Sequence, residues 1–152
     1  MEITPFPLSH DAVDPSGFRI IFNDGKSIGV ATDTGRLSDE VFKGMSGADI
    51  VCIESNYDEN MLKAGSYPYF LKRRILSDRG HLSNEDCACL AMKAVKNGAK
   101  KILLSHLSCE NNLPDLAYMT TDQRLTEESV IVGGDVELAV SPRFACSRVF
   151  TL

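Results

Sequence analysis

Short apolar runs separated by polar, glycine-marked turns dominate the chain. Residues 18–22 and 27–31 are two such runs, joined by Asn23-Asp24-Gly25-Lys26, and they predict a β-hairpin. Asp-Gly suits a two-residue turn whose central positions both take positive φ. The second run passes into Thr32-Asp33-Thr34-Gly35, a polar turn at a strand's end. Ser38, followed by Asp39 and Glu40, predicts a capped helix that stops near residues 44–47. Residues 48–53 and 101–104 are β-branched or leucine-rich runs of buried-strand type, ending in Glu54-Ser55-Asn56 and Ser105-His106-Leu107-Ser108.

Between these two runs the pattern is helical. A short helix is expected near residues 58–64 and a longer one over 68–77, opened by Pro68. A third is expected over 85–96, capped by Ser83 with Asp86 three residues on and closed by Asn97-Gly98. The remaining tail reads as strands over residues 130–132, 136–140 and 148–150, with a turn at Gly133-Gly134-Asp135. One α/β domain over residues 1–152 is expected: a mixed β-sheet with helices on one face and a polar motif at each strand tip.

Composition adds limits. At 152 residues and 43% hydrophobic content, the chain is long enough for one domain with a true core. A net charge of −5 offers no broad attraction to nucleic acid or anionic membranes, although a local basic patch or bound cations can still hold phosphate. The first residues lack the pattern of a signal peptide, and no apolar run reaches the roughly 18 residues of a membrane helix. Five cysteines without C-x-x-C spacing fit reduced thiols and a cytoplasmic location.

The chemistry-bearing residues are few. The three histidines lie in Ser9-His10-Asp11-Ala12, Gly80-His81-Leu82-Ser83-Asn84 and Ser105-His106-Leu107-Ser108. His10, Asp33 and His106 fall at predicted strand tips, where loops converge and sites are built. Imidazoles with a carboxylate that can bridge two ions are what a hydrolytic zinc, manganese or iron site requires. The plainer alternative stays open: histidines beside serine are commonly surface or capping residues, and Asp33 before Thr-Gly can simply order a turn.

The motifs just quoted, together with Tyr67-Pro68, Leu71-Lys72-Arg73-Arg74-Ile75 and Asn111-Asn112, resemble in one order the YycJ/WalJ branch of metallo-β-lactamase-fold hydrolases, from about residue 5 to residue 120. The resemblance implies half of an α-β-β-α sandwich and metal-dependent hydrolysis of phosphodiesters in DNA or RNA. It implies His10, Asp33 and His106 as metal ligands, with Asp33 bridging and one or two ions, zinc or manganese, in the complete family site. A weaker likeness to tRNA 3′-processing enzymes of the same superfamily implies that His81 acts near the scissile phosphate.

Ser83, Asn84 and the helix start they open are then candidates for holding that phosphate, and Glu54 for orienting His81 or a ligand. A capping role for His81, a solvated strand-end Glu54 and a solvated helix face for Lys72, Arg73 and Arg74 are the alternatives. The family's N-terminal H-x-H-x-D-H motif and the strands bearing it have no counterpart here. Weak or absent metal and little activity are therefore expected of the chain alone. An exposed apolar sheet face is expected too, covered by a second copy in a homodimer or by a chain supplying the N-terminal half. A non-catalytic subunit acting by pairing is the competing reading.

Overall fold

In a computed structural model, which describes residues 1–151, the strands form one six-stranded mixed sheet in sequence order. β1 (Glu2–Pro7), β2 (Ser16–Ile21) and β3 (Ser27–Ala31) are antiparallel. β4 (Ile50–Glu54), β5 (Lys101–Ser105) and β6 (Glu137–Val140) continue parallel to β3. Helices α1 (Asp39–Met45), α4 (Asn84–Lys96) and α5 (Pro114–Glu127) pack on one face of this sheet. α2 (Glu59–Ala64) and α3 (Tyr69–Ile75) build a small second core from Tyr57, Leu62 and Ile75.

The expected helix starts are present: Ser38, Asp58 and Ser83 each accept a backbone N–H from the first turn of their helix. The hairpin is also present, but its turn differs. Only Gly25 takes positive φ (86°), and the loop closes through Gly25 N–H to Phe22 O and Phe22 N–H to Lys26 O. It is therefore a three-residue loop with glycine in the left-handed position, not a two-residue one.

Three sequence expectations need correction. β1 was not anticipated, because Pro5 and Pro7 argue against a strand; on the outer edge of the sheet they break no ladder. Residues 114–127, passed over as part of a strand-like tail, form the 14-residue α5, with Pro114 in its first turn. Residues 148–150 are not a strand, and Val132 meets Val136 only as an isolated bridge.

Alternation along the strands sends two sets of side chains to opposite faces. Ala31, Val51, Ile53, Ile102, Leu104 and Leu138 enter the main core beneath the helices. At the β1 edge, Phe6 is held between Gly17 and Gly44. A Cβ at either glycine would stand within 2.4 Å of its ring, so only glycine admits the aromatic there. The opposite face carries a continuous row across all six strands: Pro5, Phe18, Val30, Cys52, Leu103 and Ala139. Beside it run Ile3, Ile20, Ile28 and Ile50. None of these residues belongs to the two core clusters: Ile3, Pro5 and Phe18 are exposed, Ile50 is buried and the others are half-buried. No helix among the described residues is long and apolar enough to cross a membrane, and all five cysteines are free.

Candidate active site

Because β1, β3, β4 and β5 all run in the same direction, their C-terminal ends share one edge of the sheet. His10 follows β1, Asp33 follows β3, Glu54 ends β4 and His106 follows β5. His81 arrives at the same edge from the loop between α3 and α4. All three imidazoles of the chain thus meet: His81 lies between the others, its ring centroid 4.9 Å from that of His10 and 5.3 Å from that of His106.

Loop contacts fix this convergence. Gly35 donates to Ser9 O, Asp11 to Arg79 O, and His10 Nδ1 lies 2.8 Å from Gly80 O. A carbonyl only accepts, so His10 donates from Nδ1 and its Nε2 is turned toward Asp11 and Asp33. Glu54 does the corresponding work for the other two rings. Its Oε1 lies 2.6 Å from His81 Nδ1 and 2.9 Å from His106 Nδ1, while Oε2 accepts from Thr34 N–H at 2.9 Å. Glu54 is fully buried. Burial alone would push its carboxyl upward; the hydrogen bonds from His106, His81 and Thr34 outweigh that and hold it below the ordinary range. The same bond raises His106 above its ordinary value, against the opposing effect of its own burial.

These distances decide which pairs suit an ion. Two nitrogen or oxygen ligands of one tetrahedral zinc stand roughly 3.4 Å apart. His106 Nε2 and His10 Nε2 lie 3.6 and 3.7 Å from Asp33 Oδ1, close to that separation. Contacts of Glu54 at 2.6 and 2.9 Å are hydrogen-bond lengths and too short for paired ligands. Ligand atoms of His10, Asp33 and His81 lie within 4.8 Å of one another, as do those of Glu54, His81 and His106, so the cluster offers the donor types of a divalent-cation site, with the Glu54 contacts at hydrogen-bond length. Asp33 and His106 both hold left-handed backbone conformations, at φ 61° and 56°, as residues at functional strand tips often do.

Ser83 and Asn84 are not where a phosphate can reach them. Asn84 is fully buried, its amide bonded to Ser55 and Asn112, and its N–H is taken by Tyr57 O. Ser83 is 2% exposed and its hydroxyl caps α4 through Asp86 N–H. At this helix start the N–H groups of Asn84 and Asp86 are engaged by Tyr57 O and Ser83 Oγ. The pair instead anchors the site from below. Asn112 joins Asn84 to Ser55 O, and Asn56 donates to His106 O at 2.8 Å. Asp11 was missed as part of the site. It sits 3.4 Å from His10 Nε2 and accepts both Arg74 N–H groups, which hold its carboxyl down at about 2. Only its place next to His10 in sequence could have signalled this.

Residues 1–107 match the family model described as a beta-lactamase superfamily domain. This chain belongs to that superfamily. Within it, the chain is 45% identical over 138 residues to the exodeoxyribonuclease WalJ of Streptococcus pneumoniae, covering 91% of this chain and 51% of that protein. It is 41% identical, over 91% of this chain and 52% of the relative, to the exodeoxyribonuclease YycJ of Bacillus anthracis. Among solved structures, the metallo-beta-lactamase fold protein YhfI of Bacillus subtilis superposes with a TM-score of 0.63 at 17% identity, over 91% of this chain and 46% of that one. The resemblance to the YycJ/WalJ branch and the mixed α/β fold are thus borne out. The chain spans about half the length of the relatives it matches.

Proposed function

We propose that this chain contributes one side of a divalent-metal site for phosphodiester hydrolysis in DNA or RNA. The observation that carries the reading is the meeting of three imidazoles, Asp33 and Glu54 at one sheet edge. His10, Asp33 and His106 would hold zinc or manganese, with Asp33 shared. Such ions supply an activated water and neutralise charge on a phosphoryl group.

The chain's own part is orientation and proton transfer. Gly80 O and Glu54 turn the Nε2 atoms of His10 and His106 outward as lone-pair donors. Glu54 also holds His81 through its Nδ1–H, so that the ring, when it carries a proton on both nitrogens, can give the one on Nε2 to the leaving oxygen and fall back to the Nδ1–H form. One histidine per ion plus a shared carboxylate falls short of the three protein ligands usual for catalytic zinc, so the chain alone should bind metal weakly and turn over little.

The open apolar face supports a partner reading beside this one. It suits either a second copy or a chain bearing the H-x-H-x-D-H motif, and if no activity is found the chain acts only by pairing. Hydrolysis of bis-p-nitrophenyl phosphate with added manganese or zinc tests the first reading. His81→Ala should keep metal binding and lose about a hundredfold in rate or more. Unchanged turnover in that variant would remove His81 from the chemistry, and no turnover in any chain would leave the pairing role alone.

A further inference from the structure

Beside the histidine cluster lies a cleft of about 570 Å³, walled by Tyr67, Leu71 and Ile75 on one side and reached by Arg143 on the other. α3 forms its lip. Helical spacing turns Leu71 and Ile75 into the cleft and places Arg74 at the rim, with Phe70 one turn before it and Tyr69 and Arg73 further out. Phe70 and Tyr69 are 73% and 76% exposed, far more than aromatic rings of a small domain normally are.

The three cations of the helix have different fates. Lys72 is bound to the carbonyls of Lys63 and Gly65, and Arg74 to Asp11. Arg73 has no carboxylate partner among the described residues and lies 5.9 Å over the Tyr69 ring. Arg73 and Tyr69 thus form an exposed cation–ring pair, with Phe70 next to it in sequence, on the outer side of the helix whose inner side lines the cleft.

We propose that α3 is a stacking platform for single-stranded nucleic acid running to the histidine cluster: Phe70 and Tyr69 stack successive bases and Arg73 neutralises the phosphate between them. The proposal rests on the phosphodiester reading and adds where the strand lies. Stacking rings beside cations are how sequence-tolerant single-strand grooves are built, and the same helix sends Leu71, Arg74 and Ile75 into the cleft that His81 and His106 line.

The test is fluorescence anisotropy of the whole chain in EDTA with a labelled oligodeoxythymidylate, roughly 12 nucleotides long. Removing both rings, in Tyr69→Ala with Phe70→Ala, should weaken binding about tenfold or more, with circular dichroism and melting unchanged because neither ring is buried. Phe70→Trp should retain binding and Phe70→Leu should not. Arg73→Ala should lower the salt slope by about 0.7. An abasic oligomer should bind more weakly than thymidylate. Equal binding by the double variant, or equal affinity for the abasic strand, overturns the platform. So does a fall in mass by light scattering in the double variant, which would make α3 a protein interface.

Binding in EDTA does not depend on the ion site, so the two readings fail separately. A chain that binds thymidylate through these rings yet never hydrolyses phosphodiesters overturns the hydrolase reading alone. One that hydrolyses them but binds equally well without the rings overturns the platform alone.

Discussion

At the scale of single residues, Glu54 has the greatest consequence. One buried carboxylate orders two imidazoles and the Asp33–Thr34 turn, through His81, His106 and Thr34 N–H. Glu54→Gln keeps the shape but offers only one carbonyl oxygen to these donors. Leaving a buried donor without an acceptor costs about 2 kcal/mol, so the urea midpoint should fall. His106 no longer faces a charged carboxylate, which raises its pKa in the wild type, and its NMR titration should shift toward the ordinary value. Unchanged stability and titration would mean that the carboxylate is not what sets the rings. Much of this was open to sequence reading: His10, Asp33 and His106 each follow an apolar run, and a polar residue there emerges at the sheet's edge. That Glu54 serves both rings was not, because it depends on a loop some 27 residues away folding back to the strand tip.

At the scale of elements, the site stands on a buried polar junction. Ser55 at the end of β4, Asn84 at the start of α4 and Asn112 ahead of α5 bond one another with almost no exposure. Asn84→Ala strips donors and acceptors that no water can reach, and should cost about 2 to 3 kcal/mol. Denaturation of that variant checks it; a loss under 0.5 kcal/mol would show that the junction is dispensable. β3, β4, β5 and α4 were legible because their apolar periods are unmixed. α5 was not: its buried stripe is only Ala117, Thr121 and Leu125, small or polar residues that give little contrast with the rest of the helix. β1 was hidden by Pro5 and Pro7, which an edge strand tolerates and a sequence pattern discourages.

At the scale of the whole molecule, the half-sandwich leaves a six-strand apolar row without a covering layer. Contiguous apolar faces commonly mark association surfaces, which predicts self-association of this chain. Light scattering should give the wild-type chain a mass above its 16.7 kDa, and Val30→Lys, at the middle of the row, should return it to a monomer. A wild-type chain that stays monomeric at high concentration would contradict this. The site bears on the same question, since Asp33 with one histidine on each side is incomplete for two ions without further ligands.

The central claim is that His10 and His106 turn their Nε2 atoms toward Asp33 to hold divalent cations. It is tested most directly by following the imidazole nitrogens by NMR during titration with zinc to millimolar concentration. All three histidines of the chain lie in the cluster, so each signal reports on it. The Nε2 resonances of His10 and His106 should move with zinc, and should not in Asp33→Asn. Resonances that ignore zinc, or respond equally with and without the Asp33 carboxylate, would contradict the account.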